Sequence, residues 1–111
     1  MIDEVQSRVA NAFALSRSEL LSRSRRRPVA LARQVAMYLC RDLAQRSGGR
    51  SRWASFPRIG IAFARDHSSV IHACHVVTER RARDRGLAEL LDELTRELRP
   101  ATPLIAEGGA E

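Results

Sequence analysis

The stretch from Phe63 to Cys74, Phe-Ala-Arg-Asp-His-Ser-Ser-Val-Ile-His-Ala-Cys, constrains the fold of this chain more than any other part of it. Val70, Ile71, Cys74 and Val77 recur at helical spacing and predict a helix that buries one stripe. Asp66 stands where a side-chain oxygen can accept from the free N–H groups of a first turn, so it is the expected N-cap. Phe56 to Phe63 reads as a shorter apolar helix, and Ala64 to Asp66 as the turn between the two. Two such helices need a further surface on which to bury their stripes, and with helices expected along the rest of the chain the fold class is all-α. Arg65, His67, Ser68 and Ser69 are left at the exposed N-terminal end of the second helix. That is the end from which a helix-turn-helix reaches base edges.

The rest of the chain supplies more helices. Ile2, Val5, Val9 and Phe13, with Ala10 and Ala12 beside them, predict a helix from Ile2 to about Leu15. Ser16 followed three residues later by Glu19 is a capping box and predicts a short second helix through Leu21. Ser22 to Pro28 is a basic loop, and Pro28 suits the first turn of the next helix. Val29, Ala32, Val35, Ala36, Leu39, Cys40 and Leu43 mark that helix as a long one, running to about Gln45. Arg46 to Ser55 is a loop by composition. Gly86 to Arg99 is amphipathic on Leu87, Leu90, Leu91, Leu94 and Leu98. The expected architecture is one compact multi-helix domain over residues 1–99, with the helix-turn-helix at about 56–83. Pro100 to Glu111 is expected to be a disordered acidic tail.

Charge is unevenly placed. Between Arg17 and Arg65 there are 12 arginines against two acids, Glu19 and Asp42, a net +10, while the stretches before and after sum to −1 and −3. A basic middle between acidic ends suits a phosphate-facing surface. No stretch approaches a membrane span or a signal peptide, so a cytoplasmic, nucleoid-associated protein is expected. Cys40 and Cys74 fall on apolar helix faces outside any C-x-x-C pair and read as small core residues. His67, His72, Cys74 and His75 crowd one helix, but its geometry scatters them around the axis, so neither a metal nor any other cofactor is expected. Asp66-His67-Ser68 are adjacent on one helix and cannot form a nucleophile–base–orienter arrangement, so no enzyme is expected.

Three ordered stretches resemble the C-terminal DNA-binding domain of the bacterial replication initiator DnaA, a fold of Trp-repressor-like type. Arg65 to Cys74 resembles its signature, with Ser68 and Ser69 where the family has threonines. Ala30 to Leu43 resembles the preceding long helix, and Phe56-Pro57-Arg58-Ile59-Gly60 with Phe63 resembles the first helix of the motif. The similarity runs from about Arg17 to Leu98, interrupted at Arg46–Ser55, where the family has a shorter connection. The initiator's ATPase module needs a P-loop, G-x-x-x-x-G-K-[ST]; this sequence has no lysine, so the reading is of the DNA-binding domain alone, acting without ATP.

The resemblance implies specific contacts. Arg25 takes the place of an arginine that enters the minor groove, with Arg26 and Arg27 near enough to share the assignment. Arg33, Gln34 and Arg41 fall at positions that hold the phosphate backbone, Pro57 at one beside the DNA, and Arg58 can add a phosphate contact. Arg65 can reach a base or a phosphate, and Asp66 can accept from a cytosine amino group if it does not serve only as the cap. His67 can donate to a guanine, and Ser68 and Ser69 to bases or phosphates. The partner implied is double-stranded DNA carrying a site like the initiator's box, and the function is regulation of replication initiation or of transcription. The alternative is a protein that regulates the initiator, or the initiator's own regulators, by binding them. That would place the work on the first helix, the tail, or Trp53 in the 46–55 loop, which can otherwise cover the core or meet DNA.

Overall fold

A computed structural model describes residues 1–46 and 55–98, and among them every regular element is a helix. In chain order these are α1 (Ile2–Ala12), α2 (Arg17–Leu20), α3 (Arg27–Arg46), α4 (Phe56–Phe63), α5 (His67–Arg83) and α6 (Arg85–Leu98). The inserted segment, with Trp53, and the acidic tail lie outside the described residues, save that Arg46 ends α3 and Ser55 caps α4.

α3 is the axis of the molecule and packs against each of the other five helices. All seven apolar residues expected on its buried side are buried, and Met37, Ala44 and Arg33 join them. The helix starts at Arg27, with Pro28 in its first turn, where the missing N–H costs no hydrogen bond. Val5 and Val9 of α1, Leu20 of α2, Ile59 and Phe63 of α4, and Leu87, Leu91, Leu94 and Leu98 of α6 complete one core around it. On α5 the fully buried stripe is Val70, Ala73 and Val77; Ile71 and Cys74 flank it, half-buried, instead of forming it.

Two helices end on a left-handed alanine. α1 stops at Ala12, short of the expected Leu15, because Ala14 takes φ 58°. The Leu15 amide then donates to the Ala10 carbonyl at 2.8 Å and the Ala14 amide to Asn11 at 3.1 Å. α4 closes the same way: Ala64 has φ 55°, the Arg65 amide donates to Gly60 at 2.8 Å, and the Ala64 amide to Ile61 at 3.1 Å. This is the Schellman closure, with alanine where glycine is usual. At α4 it makes the turn of the helix-turn-helix. Gly60 permits the tightness, since a Cβ there would lie 2.6 Å from the Arg65 carbonyl oxygen.

One buried polar side chain braces that turn. Gln6 of α1, 1% exposed, donates to the Ala62 carbonyl of α4 at 3.1 Å and accepts from Arg17 Nη2 at 2.7 Å. The Ser16–Glu19 capping box is formed in both directions and starts α2 as expected. Across the other side, Arg81 of α5 donates to the Tyr38 hydroxyl of α3 at 2.9 Å and to Asp92 of α6 at 3.1 Å. Asp84, between α5 and α6, accepts from the Leu87 amide at 3.1 Å and starts α6.

Candidate nucleic-acid interface

The first turn of α5 stands clear of the core: His67 and Ser68 are exposed and Ser69 half-buried. Asp66 has the extended backbone of an N-cap (φ −73°, ψ 153°), but its side chain accepts no capping bond from the first turn, contrary to the sequence-based expectation. The Ser68 hydroxyl donates to its carboxylate instead, and that bond is the main reason its pKa is held below the ordinary carboxylate range. His67 Nδ1 lies 3.6 Å from the same carboxylate. Ser68 is thereby oriented by Asp66, a local side-chain bond that competes with the backbone cap.

The arginine loop lies beside this turn, and two guanidinium groups hold it there. Arg33 is 7% exposed; its Nε donates to the Leu20 carbonyl at 3.0 Å, and its Nη2 to those of Ser22 at 2.7 Å and Ser24 at 3.1 Å. Arg65 reaches the same Ser22 carbonyl through Nη2 at 2.9 Å, while its Nη1 donates to the Phe63 and Ala64 carbonyls. Burial, and then the neighbouring Arg65 charge, lowers the Arg33 pKa. The loop is further ordered from within, since the Ser24 amide donates to Ser22 Oγ and the Arg26 amide to Ser24 Oγ, both at 3.2 Å. Arg23, Arg25, Arg26 and Arg27 remain exposed.

A shallow groove between α3 and α5 is lined by Arg33, Gln34, Arg65, Ser68, Ser69 and His72, together with Ala30 and Met37. Gln34 also borders a second depression, lined by Arg25, Arg27, Pro28, Ala30, Leu31 and Arg80. The structure thus brings together Arg25, Arg27, Arg33, Gln34, Arg65, Ser68 and Ser69. Arg80, three turns along α5, joins them; its spacing from the helix start concealed it in the sequence.

Three expected contact residues, Arg41, Pro57 and Arg58, stand outside this groove. Arg41 sits over the Phe56 ring, 4.3 Å from its centroid, so it flanks the start of α4 where Pro57 is exposed. Arg58 lines a separate depression with Met1, Ile2, Asp3, Ile61 and Ala62. Arg33 is on the groove wall, with its Nε and Nη2 donating to the loop carbonyls. The helical period could not show this, because the carbonyls it meets carry no sequence signature.

Among the described residues, no cluster of three or more potential ligands could hold a metal ion, and no helix is long and apolar enough to cross a membrane. The Cys40 thiol is buried, which pushes its pKa up to about 12, and the half-buried Cys74 is also shifted up, mainly by burial.

Residues 2–77 match the bacterial dnaA protein helix-turn-helix family. The chromosomal replication initiator protein DnaA of Chromobacterium violaceum is 39% identical over 99 residues, which cover 88% of this chain and 20% of that protein. The DnaA protein of Caulobacter vibrioides is also 39% identical over 99 residues, covering 88% and 19%. That of Levilactobacillus brevis is 38% identical over 99 residues, covering 88% and 20%. The chain spans about a fifth of the length of these curated relatives. With more than half of its residues inside the family match, α4, the turn and α5 as far as Val77 among them, this chain belongs to the bacterial DnaA helix-turn-helix family.

Proposed function

We propose that this chain binds double-stranded DNA sequence-specifically, at a site like the initiator's box, and regulates replication initiation or transcription from there. The observation that carries the reading is the 2.9 Å bond from Arg65 to the Ser22 carbonyl, which seats the arginine loop directly beside the first turn of α5. A helix end and a basic arm held side by side suit a major groove and the minor groove next to it. In this reading His67, Ser68 and Ser69 face base edges, with Asp66 holding Ser68 and able to accept from a cytosine amino group. Arg25, with Arg26 and Arg27 beside it, enters the minor groove. Gln34, Arg41, Pro57, Arg58 and Arg80 meet the backbone. These 111 residues contain no P-loop, so the binding they carry out needs no nucleotide.

Each serine lacks the methyl of the family's threonine, so apolar contact with a thymine methyl is lost and preference at that base pair should be looser. Competition binding at near-physiological salt tests the proposal: an initiator-box duplex should displace the protein well ahead of a scrambled duplex, and equal competition would remove it. Arg25→Ala and His67→Ala should reduce the preference, and Arg41→Ala should weaken binding to both duplexes alike.

A further inference from the structure

We infer that Arg33 is a positioning residue, which sets the distance between the arginine loop and the recognition helix rather than holding a phosphate. The inference rests on the DNA-reading function proposed above and concerns how that function obtains its register.

Phosphate contacts are made by guanidinium groups with donors turned to solvent. Arg33 has little surface to offer, and its Nε and Nη2 are committed to three carbonyls of one short segment: Leu20, Ser22 and Ser24. Only a guanidinium can span these positions, because its donors form a rigid planar fork. From the opposite side, Arg65 bonds the middle carbonyl of the three. Two cations therefore converge on one oxygen, and among the described residues neither has a carboxylate within ion-pair distance. Like charges held this close repel, so the arrangement persists only because both are tied to backbone oxygens in fixed geometry.

The consequence runs outward along the chain. Ser22 Oγ receives the Ser24 amide, and Ser24 Oγ receives the Arg26 amide. Hydrogen bonds thus lead without a gap from Arg33 to the residues of the arm, while Arg65 joins the same node to the turn before α5. A basic arm that hangs loose still attracts phosphates and binds any duplex. Delivering one arginine to a groove at a set distance from the helix is a matter of register, and register is what sequence preference needs.

The test uses the full chain with Arg33→Met, which keeps the stem and removes the donors, and Arg33→Lys, which keeps the charge without the fork. In DNA-free protein, the Ser24 and Arg26 amides should exchange at least about tenfold faster in both variants than in the parent. The preference for box over scrambled duplex should fall about tenfold in both, the loss expected for one base contact out of place. The salt dependence of scrambled-duplex binding should keep its slope. A slope reduced by about one, the signature of a lost phosphate contact, with amide exchange unchanged would overturn the inference, as would full rescue by lysine. If Arg33→Met does not fold, Arg65→Gln removes the second bond to Ser22 from outside the core and should loosen the same amides; unchanged exchange there would sink the tether. A parent protein that does not discriminate between duplexes would defeat the proposed function alone, because the exchange measurement reads the tether without DNA.

Discussion

Replacing Gly60 with alanine puts a methyl group 2.6 Å from the Arg65 carbonyl oxygen, where ordinary contact begins at 3.4 Å. The obstacle is backbone, with Asp66 C and His67 N immediately behind at 3.4 Å, so no side chain can swing aside. The turn has to retreat by roughly 0.8 Å, yet it is tied to the substituted residue through the Arg65 amide at 2.8 Å. Two effects compete. Alanine in a helix interior is favoured over glycine by about 1 kcal/mol, while overpacking a tight contact costs about 1–3 kcal/mol. The clash should win by about 1 kcal/mol, and the sign alone is diagnostic, since a neutral site would give a more stable variant. Urea denaturation followed by circular dichroism measures it. The retreat also displaces the start of α5, so preference for an initiator-box duplex should fall further than the stability loss explains. A variant at least as stable as the parent with its preference intact would refute the reasoning.

Other contacts carry expectations of the same kind. Gln6→Leu leaves the Ala62 carbonyl without its donor and Arg17 without its amide partner, and should destabilise the fold by about 1–3 kcal/mol in the same denaturation assay; an unchanged midpoint would count against the brace. Ala64→Gly should stabilise by about 0.5–1 kcal/mol, the left-handed cost of a Cβ less glycine's added chain entropy, and a lower midpoint would show that the turn is unstrained. Burial holds the Cys40 thiol at a pKa of about 12, above the value of about 8.5 in an unfolded chain. The native state keeps a proton that the unfolded chain releases, so this contribution is whole below about pH 8.5 and declines as pH rises toward 12, by at most about 1.4 kcal/mol per pH unit. Cys40→Ala should flatten that alkaline decline, and equal slopes in both proteins would refute the assignment.

Much of this architecture was legible because apolar residues report it directly. The α3 stripe, the capping box at Ser16 and Glu19, and the exposed first turn of α5 are all set by spacing and local chemistry. Backbone events were not legible. Nothing at Ala14 announces a left-handed residue, since alanine normally continues a helix, and so α1 ends earlier than its stripe suggests. At α5 the buried stripe runs through Ala73, a small residue that the spacing of the larger apolar side chains did not pick out, and α5 packs against α3. Asp66 has the position of a cap, but its carboxylate is drawn to the Ser68 hydroxyl, a competition the sequence cannot resolve. Arg33 and Gln6 were hidden for a related reason: polar residues normally mark a solvated face, and their partners are carbonyls, which every residue has.

The Tyr38–Arg81–Asp92 chain joins α3, α5 and α6, yet two of its three members lie beyond residue 77, where the family match ends. Leu87, Leu91, Leu94 and Leu98 likewise come from that later stretch and close over α1 and α3. Reading and sealing are therefore tasks of different lengths of polypeptide. A fragment cut at the boundary of the recognisable motif would keep every residue proposed to face bases and leave its greasy underside open to water.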